Sequence, residues 1–167
     1  MDNETHIAII RHAQEDNKAS NTGRLAHLAL ARSSLIAYGR PHEPLREEGL
    51  VTPGTFLLFP EGPPVTGPLP GCTRVIVLDG TWRQARRMRQ RILALRGLPI
   101  LSLPPPAVAP RRMRESPQPE AMSTIESIAA ALTALEGATL AAPLLELYAV
   151  VVDRLMVRRR PGWTADG

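Results

Sequence analysis

The chain has 167 residues, of which 44% are hydrophobic, 22% charged and 4% aromatic. This length is typical of one compact domain, and such a chain buries roughly 70% of the surface that its unfolded form exposes. It therefore needs neither a metal ion nor a disulfide to fold. Its single cysteine, Cys72, excludes an internal disulfide and a cysteine-based zinc site.

The apolar segments of the chain are too short and too interrupted to cross a membrane. The longest, residues 125–135 and 141–152, contain glutamate or hydroxyl side chains and fall below the roughly 20 residues that a membrane span requires. The first residues, MDNETHIAII, carry acids where an export signal carries basic residues. We therefore expect a cytoplasmic protein with no membrane partner.

The charged residues indicate a polyanionic partner. The formal net charge is +4, and 19 of the 20 basic residues are arginine. The guanidinium group is a planar fork that suits phosphate, whereas the lysine ammonium is a compact, strongly hydrated charge. The alternative explanation is a genome whose base composition favours arginine codons, so the positions of the arginines matter more than their number.

Strand patterns and helix patterns alternate along the chain. In chain order, they predict a strand over residues 6–10, a helix from about residue 25 to near Gly39 and Pro41, strands over 55–59 and 74–78, a helix over 81–95, a strand over 99–103, a long loop rich in proline and arginine over 104–122, and closing helices over 123–135 and 143–159, the last opened by Pro143. This alternation favours an α/β fold with a mostly parallel sheet and helices on both faces. We see no internal repeat and no second domain.

The sequence Asp79-Gly80-Thr81-Trp82 follows the most β-branched of the predicted strands. Ligands of parallel sheets collect at the carboxyl ends of the strands. The motif therefore places a carboxylate, a flexible turn and a helix start at that edge. The alternative is structural: Asp79 or Thr81 caps the helix, and Trp82 packs in the core.

The helix after this motif has one apolar face and one basic face. The apolar residues recur at helical spacing and are Trp82, Ala85, Met88, Ile92 and Leu95. The opposite arc carries Arg83, Arg86, Arg87 and Arg91, and no acidic residue lies between Gly80 and Arg96. The pattern favours contact with phosphate. A basic face that only meets solvent is the alternative.

Two further segments combine polar side chains with a predicted helix start. Ser123-Thr124-Ile125-Glu126 fits the S-x-x-E capping box, and residues 20–24 form a similar polar opening after the first strand. Either segment can cap a helix, bind an anion through its free amides, or do both.

The sequence gives no pattern for metal, nucleophilic or dinucleotide chemistry. The four histidines, which include His12 beside Glu15 after the first strand, lack the short paired spacings of a metal site. Cys72 has no paired base in the sequence, and neither a G-x-G-x-x-G motif nor a P-loop is present. We expect no bound metal.

Several segments occur in an order that resembles the DTW-domain family, which is named for its Asp-x-Thr-Trp motif. They are HAQEDNKASNTGRLAHLAL, TFLLFPEG, VIVLDGTWRQARRM, LPILSLPPP, RRMRESPQPEAMSTIESIAAALTALEG and LLELYAVVVDRLM, and they cover about residues 7–158. The resemblance implies a SPOUT-like α/β fold with a C-terminal trefoil knot, in a single domain over residues 1–167. It also implies transfer of the 3-amino-3-carboxypropyl group of S-adenosylmethionine to N3 of a tRNA uridine, with release of methylthioadenosine.

The resemblance assigns roles to matching positions. The residues of the name motif, Asp79, Thr81 and Trp82, are expected to be catalytic. The cofactor-binding residues are expected to be Asn21, Thr22, Gly23, Gly80, Leu101, Leu103, Pro104, Ser123 and Thr124, with Glu126 completing the STxE segment. The RNA-binding residues are expected to be Arg24, Arg83, Arg86, Arg87, Arg111, Arg112 and Arg114.

The chain departs from the family pattern at three places. Many bacterial members begin with a cysteine cluster that resembles a zinc knuckle, and this sequence has none. A frequent His-Pro-x-Glu segment is replaced by His12-Ala13-Gln14-Glu15, and Arg111 stands where an aromatic residue is common. These differences concern RNA recognition more than the cofactor site.

The residue types fit the implied reaction. The uridine imide is weakly acidic, so a base within hydrogen-bond reach assists its attack, and Asp79 is the only acid immediately at the predicted sheet edge. The sulfonium is itself the leaving group, so the reaction needs no metal. Two alternatives are a SPOUT-type RNA methyltransferase with the same cofactor and a catalytically silent RNA-binding module.

Overall fold

The structure is a computed structural model that describes residues 1–16, 21–105 and 122–158. Its strands are β1 (His6–His12), β2 (Ser33–Tyr38), β3 (Thr55–Leu58), β4 (Arg74–Asp79) and β5 (Ile100–Leu101). Its helices are α1 (Thr22–Ala29), α2 (Trp82–Arg91), α3 (Thr124–Glu136) and α4 (Ala138–Arg158), with short 3-10 helices at Ala13–Glu15 and Leu93–Leu95. No helix in these ranges is both long enough and apolar enough to cross a membrane.

The strands form one all-parallel sheet in the order β2-β1-β4-β3-β5. This confirms the predicted α/β fold class, since helices cover both faces. The register aligns Ile10 with Leu78 and Arg11 with Asp79, so β1 and β4 end side by side. Residues 106–121, most of the predicted loop over residues 104–122, lie outside the described residues, and the trefoil knot stays a prediction.

Alternate residues of the central strands enter two separate cores. Ile7, Ile9, Val75 and Val77 face α1, α3 and α4, whereas Ala8, Ile10 and Ile76 face α2. A strand that is buried on both faces needs apolar residues at nearly every position, which explains the continuous IAII and VIVL runs. The same alternation then continues into the polar residues at the strand ends and decides which face each one meets.

The prediction of one long helix from residue 25 to near Gly39 was wrong. Helix α1 ends at Ala29, Leu30 adopts an extended conformation, and Leu35 and Ile36 belong to β2. The spacing of Leu35 and Ile36 fits a helix, but these residues pair in parallel with Ile9 and Ile10 of β1. Hydrogen bonding along an open strand edge, which local spacing does not reveal, decides the structure here.

The predicted start of the last helix was also wrong. Helix α4 begins at Ala138, so Pro143 lies inside it rather than in its first turn. Gly137, with φ of 103°, ends α3 and lets the chain turn directly into α4. The sequence ATLAA before Pro143 is rich in alanine, which favours helix strongly enough for α4 to begin before the proline.

Candidate functional site

The topology places a crevice beside the carboxyl ends of β1 and β4. The chain leaves β1 through α1 on one face of the sheet, and it leaves β4 through α2 on the other face. Neighbouring strands whose connections run to opposite faces define the switch point at which open parallel sheets bind ligands. The residues at this point are Arg11 and His12, which end β1, Asp79, which ends β4, and Gly80, which follows it.

Asp79 is the central side chain of this crevice. It is only 6% exposed, and its Oδ1 accepts a hydrogen bond of 2.6 Å from Thr124 Oγ1. Asp79 continues the alternation of Val75 and Val77, so its carboxylate meets the face that α1 and α3 cover. Asp79 does not cap α2, because Thr81 does.

Gly23 gives α1 its close approach to Asp79. A Cβ added at Gly23 would lie 2.7 Å from Asp79 Cγ, and closer still to Oδ2. Real Cβ atoms essentially never approach this closely, so a larger residue would force the carboxylate or the helix to move. Thr22 beside it is buried as well. The expected cofactor residues Gly23 and Thr124 thus both contact Asp79, although 56 and 45 positions separate them from it in the chain.

The first turns of α1 and α3 are both capped at this edge. Asn21 Oδ1 accepts from the Arg24 amide at 2.9 Å. Ser123 and Glu126 form the predicted capping box, in which Glu126 Oε2 accepts from the Ser123 amide at 2.8 Å. Two helix N-termini therefore converge near one buried carboxylate, and their dipoles favour negative charge in the crevice.

Arg11 is a buried cation beside Asp79, and the sequence analysis did not predict it as a site residue. Its guanidinium forms an ion pair with Asp16, which Arg40 also contacts at 2.9 Å. Burial opposes ionisation of Asp16, but hydrogen bonding from Arg40 and the charges of Arg11 and Arg40 hold its pKa below the ordinary value. Arg11 Nε is buried and has no hydrogen-bond partner among the described residues.

The other face of the crevice carries a polar cluster around Gln84. Its carboxamide oxygen accepts from the Thr81 amide at 2.6 Å, which completes a capping box at the start of α2. Its Nε2 donates to Gln14 Oε1 at 2.8 Å and lies 3.4 Å from His12 Nδ1. These bonds hold the Gly80 turn and the segment after β1 together, and they assign Thr81 at least a structural role.

Trp82 lies at the exposed edge of the apolar core that α2 covers. Ala85, Met88, Ile92 and Leu95 are buried as predicted, whereas Trp82 is 44% exposed and stacks on Phe59 with ring centroids 5.2 Å apart. The core alternative for Trp82 was therefore wrong. Phe59 belongs to the α2 face, so Trp82 and the Asp79 carboxylate are on opposite faces of the sheet edge.

The remaining predicted site residues are more dispersed. Leu101 is buried and Leu103 partly buried in the α3 face core, while Pro104 is exposed just beyond β5. Arg24, Arg83, Arg86, Arg87 and Arg91 are exposed. Arg111, Arg112 and Arg114 lie outside the described residues.

The described residues contain no cluster of three or more metal-ligating side chains. Cys72 lies just before β4, at the amino edge of the sheet and opposite the crevice. Burial raises the pKa of its thiol, which makes the thiolate scarcer.

The structure therefore defines an α/β protein with a conformationally constrained carboxylate at the switch point of a parallel sheet. Residues 1–156 match the family described as the DTW domain, and the chain belongs to this family. The chain is also 28% identical over 146 residues to tRNA-uridine aminocarboxypropyltransferase 2 of Drosophila melanogaster. The aligned region covers 80% of this chain and 57% of that relative, so the chain spans little more than half of the relative's length. The comparison with solved structures gave no match.

Proposed function

We propose that this protein transfers the 3-amino-3-carboxypropyl group of S-adenosylmethionine to N3 of a uridine in tRNA. The observation that carries the proposal is the Asp79 cluster, in which the family motif supplies a buried carboxylate at the sheet's switch point. The activity named for the fly relative supports the choice of reaction. The proposed catalytic residues are Asp79, Thr81 and Trp82.

The crevice fits the charges of the proposed donor molecule. S-adenosylmethionine carries one carboxylate and two cationic groups. The N-termini of α1 and α3 and the buried Arg11 Nε favour its carboxylate. The residues proposed to hold it are Asn21, Thr22, Gly23, Gly80, Leu101, Leu103, Pro104, Ser123 and Thr124.

Asp79 is suited to handle the uridine N3 proton. An imide nitrogen attacks carbon more readily when a carboxylate within hydrogen-bond reach accepts its proton. Thr124 Oγ1 holds one carboxylate oxygen, and the absence of a side chain at Gly23 leaves the carboxylate room against α1. When bound, S-adenosylmethionine supplies the transferred group, and methylthioadenosine is the leaving group. Holding the nucleophile in line with the reacting carbon then provides much of the rate.

The decisive test is mass spectrometry of nucleosides from tRNA incubated with the protein and S-adenosylmethionine. The proposal predicts an aminocarboxypropyl uridine and stoichiometric methylthioadenosine. A methylated nucleoside with adenosylhomocysteine would instead establish the methyltransferase alternative. Calorimetric titration with S-adenosylmethionine separates both enzymes from a silent RNA-binding module, which would give no binding heat.

Replacing Ser123 by alanine tests whether the capping box also borders the donor site. Loss of the cap should lower the free energy of unfolding by about 0.5–2 kcal/mol. If Ser123 also borders the donor molecule, calorimetry will show weaker binding of S-adenosylmethionine. The control is Thr133→Ala, because this hydroxyl on the same helix donates to the Ala129 carbonyl, away from the capped end. Lower thermal stability with unchanged donor affinity would restrict Ser123 to capping.

The basic face of α2 is the proposed contact surface for tRNA, together with Arg24 and the arginines of the long loop. Each phosphate neutralised steepens the fall of log affinity with log salt by about 0.7 to 0.9. The double substitution of Arg86 and Arg87 by alanine should therefore weaken tRNA binding and flatten this slope, while donor binding stays unchanged. Arg32→Ala is the control, because Arg32 precedes β2 at the amino edge of the sheet. If the parent protein, the double variant and Arg32→Ala all show the same salt dependence of tRNA affinity, the α2 arginines face only solvent.

A further inference from the structure

An open groove lies on the α2 face of the sheet, bordered by α2, the end of β3 and the start of β5. Its volume is about 430 Å³, and residues after β3, the second half of α2 and the segment that leads into β5 contribute to its lining. Its basic residues are Arg86, Arg89 and Arg96, and Glu61 is the one acidic residue among the described residues that line it. These four side chains leave the groove a formal charge of +2. The groove is separate from the Asp79 carboxylate, which meets the face of α1 and α3.

Two of the three arginines are already held in place by neighbouring groups. The Arg89 guanidinium carbon lies 4.5 Å from the centroid of the Phe59 ring, and Phe59 itself is only 5% exposed. Arg96 donates a hydrogen bond of 3.3 Å to the Gln90 carbonyl near the end of α2. Ordering a long side chain on binding costs free energy, so arginines that are held beforehand bind an anion with a smaller loss of entropy.

Glu61 demonstrates that the groove stabilises an anion. Its carboxylate pairs with Arg89, and 54% of the Glu61 side chain is exposed. The hydrogen bond from Arg89 lowers the pKa of Glu61, burial opposes this shift, and the charges of Arg89 and Arg86 lower the pKa further. Because ion pairs that solvent reaches contribute little stability, a ligand with stronger anionic contacts can replace this carboxylate.

We propose that the groove binds consecutive phosphates of an RNA backbone and that one of these phosphates replaces the Glu61 carboxylate on Arg89. This inference rests on the proposed function and specifies which surface beside α2 holds the RNA. The guanidinium group can form two parallel hydrogen bonds with a phosphate, which fixes the direction of the contact as well as its charge. Arg86 and Arg89 lie on α2 and Arg96 lies before β5, so the groove offers several cations to one extended polyanion.

The Glu61 carboxylate also makes the groove selective among anions. Any ligand of Arg89 must offset the loss of the pair between Arg89 and Glu61. A single free anion gains only one contact in return. An RNA backbone gains contacts with Arg86 and Arg96 as well, because its phosphates bind as parts of one molecule. The ion pair therefore favours RNA over free phosphate.

Replacing Glu61 by glutamine tests the displacement. Glutamine keeps the size of the side chain but removes the charge that competes for Arg89. Anisotropy of a short labelled uridine RNA at low salt should show binding about twofold to fivefold tighter, which corresponds to the loss of one exposed ion pair. The matched control is Glu146→Gln, because Glu146 is exposed on α4, which covers the other face of the sheet. Unchanged or weaker binding by Glu61→Gln, or an equal gain in the control, would overturn the proposal.

The Glu61 carboxyl group itself provides a direct check of the displacement. Carbon NMR, with the signal assigned through Glu61→Gln, follows the pKa of Glu61 with and without the uridine RNA. Displacement removes the hydrogen bond from Arg89 and brings a phosphate close to the carboxylate, so both changes should raise the pKa of Glu61. If this pKa in the saturated complex equals its value in the free protein, the ion pair persists and the proposal is wrong.

The salt dependence of RNA binding tests the arginines. Arg89→Ala and Arg96→Ala should each weaken binding and should each reduce the slope of log affinity against log salt by about 0.7, the value for one phosphate of a single strand. The control Arg32→Ala should leave the slope unchanged, because Arg32 precedes β2, at the opposite end of the sheet from β5. Circular dichroism of each variant establishes that it is folded. Equal slopes in the parent protein, Arg89→Ala and Arg96→Ala would refute the phosphate contacts.

Inorganic phosphate distinguishes an RNA site from a site for the free anion. At matched ionic strength, phosphate should displace the uridine RNA no more than chloride does. Complete displacement by phosphate alone would assign the groove to the free anion and would overturn the inference.

These measurements also separate the groove from the proposed reaction. Anisotropy and NMR do not require group transfer, so the groove can be found in a protein that fails the nucleoside assay. Conversely, confirmed aminocarboxypropyl transfer together with unchanged salt slopes in the arginine variants would refute only the groove.

Discussion

Asp79→Asn is expected to reduce aminocarboxypropyl transfer by about two orders of magnitude or more. Loss of a general base typically lowers a rate roughly 10²- to 10⁴-fold. Asparagine keeps the shape of the side chain, and its carbonyl oxygen can still accept the hydrogen bond from Thr124 Oγ1. It cannot, however, accept the uridine proton as a carboxylate does. The cap of α2 is unaffected, because Thr81 forms it.

The measurement is single-turnover formation of modified uridine, with thermal unfolding and donor calorimetry on the same variant. We expect a folded protein whose donor affinity stays within a few-fold of the parent. Glu48→Gln is the matched control, since this exposed carboxyl lies in the loop before β3, away from the crevice. Nearly full activity of Asp79→Asn would make Glu15, buried just after β1, the next candidate base. Loss of donor binding would place Asp79 in the binding site instead.

The sequence was sufficient to locate the crevice because parallel strands end at one edge. The apolar runs before Asp79 and His12 predict two buried strands, and polar residues directly after such strands meet at their carboxyl ends. What the sequence did not contain was the strand order. The adjacency of β1 and β4, which makes Arg11 a neighbour of Asp79, depends on pairing between segments more than 60 residues apart. Arg11 could have been predicted as a site residue from one signal, namely that it is a charged residue at the end of an apolar strand.

The errors at β2 and Trp82 have a common physical origin. Helical spacing describes one segment, but the partner of that segment determines its structure. Ile36 joined a strand because the edge of β1 was open to it. Trp82 fits the apolar face of α2 by spacing, yet it is the first residue of the helix and stacks on Phe59 at the exposed edge of the core. Contacts of this kind appear only when the strands and helices are assembled.

Gly23→Ala is expected to destabilise the protein even though alanine is the better helix former. Gly23 is the second residue of α1, and helix propensity alone would favour alanine by about 1 kcal/mol. The added methyl, however, would meet the Asp79 carboxylate at distances that real Cβ atoms do not adopt. Overpacking of this kind usually lowers the free energy of unfolding by about 1–3 kcal/mol. The sign of the change therefore reports whether the tight approach of α1 to Asp79 dominates over helix propensity.

The same substitution should slow transfer, because the methyl displaces the carboxylate from the position that Thr124 defines. Gly67→Ala is the matched control, since nothing lies within 4 Å of its added Cβ, and its stability should change by no more than about 0.5 kcal/mol. Denaturant unfolding of Gly23→Ala in an Asp79→Ala background provides a second check, because removing the carboxylate removes the clash and should abolish the destabilisation. If Gly23→Ala is instead as stable and as active as the parent, the carboxylate moves freely, and its packing against α1 has no part in catalysis.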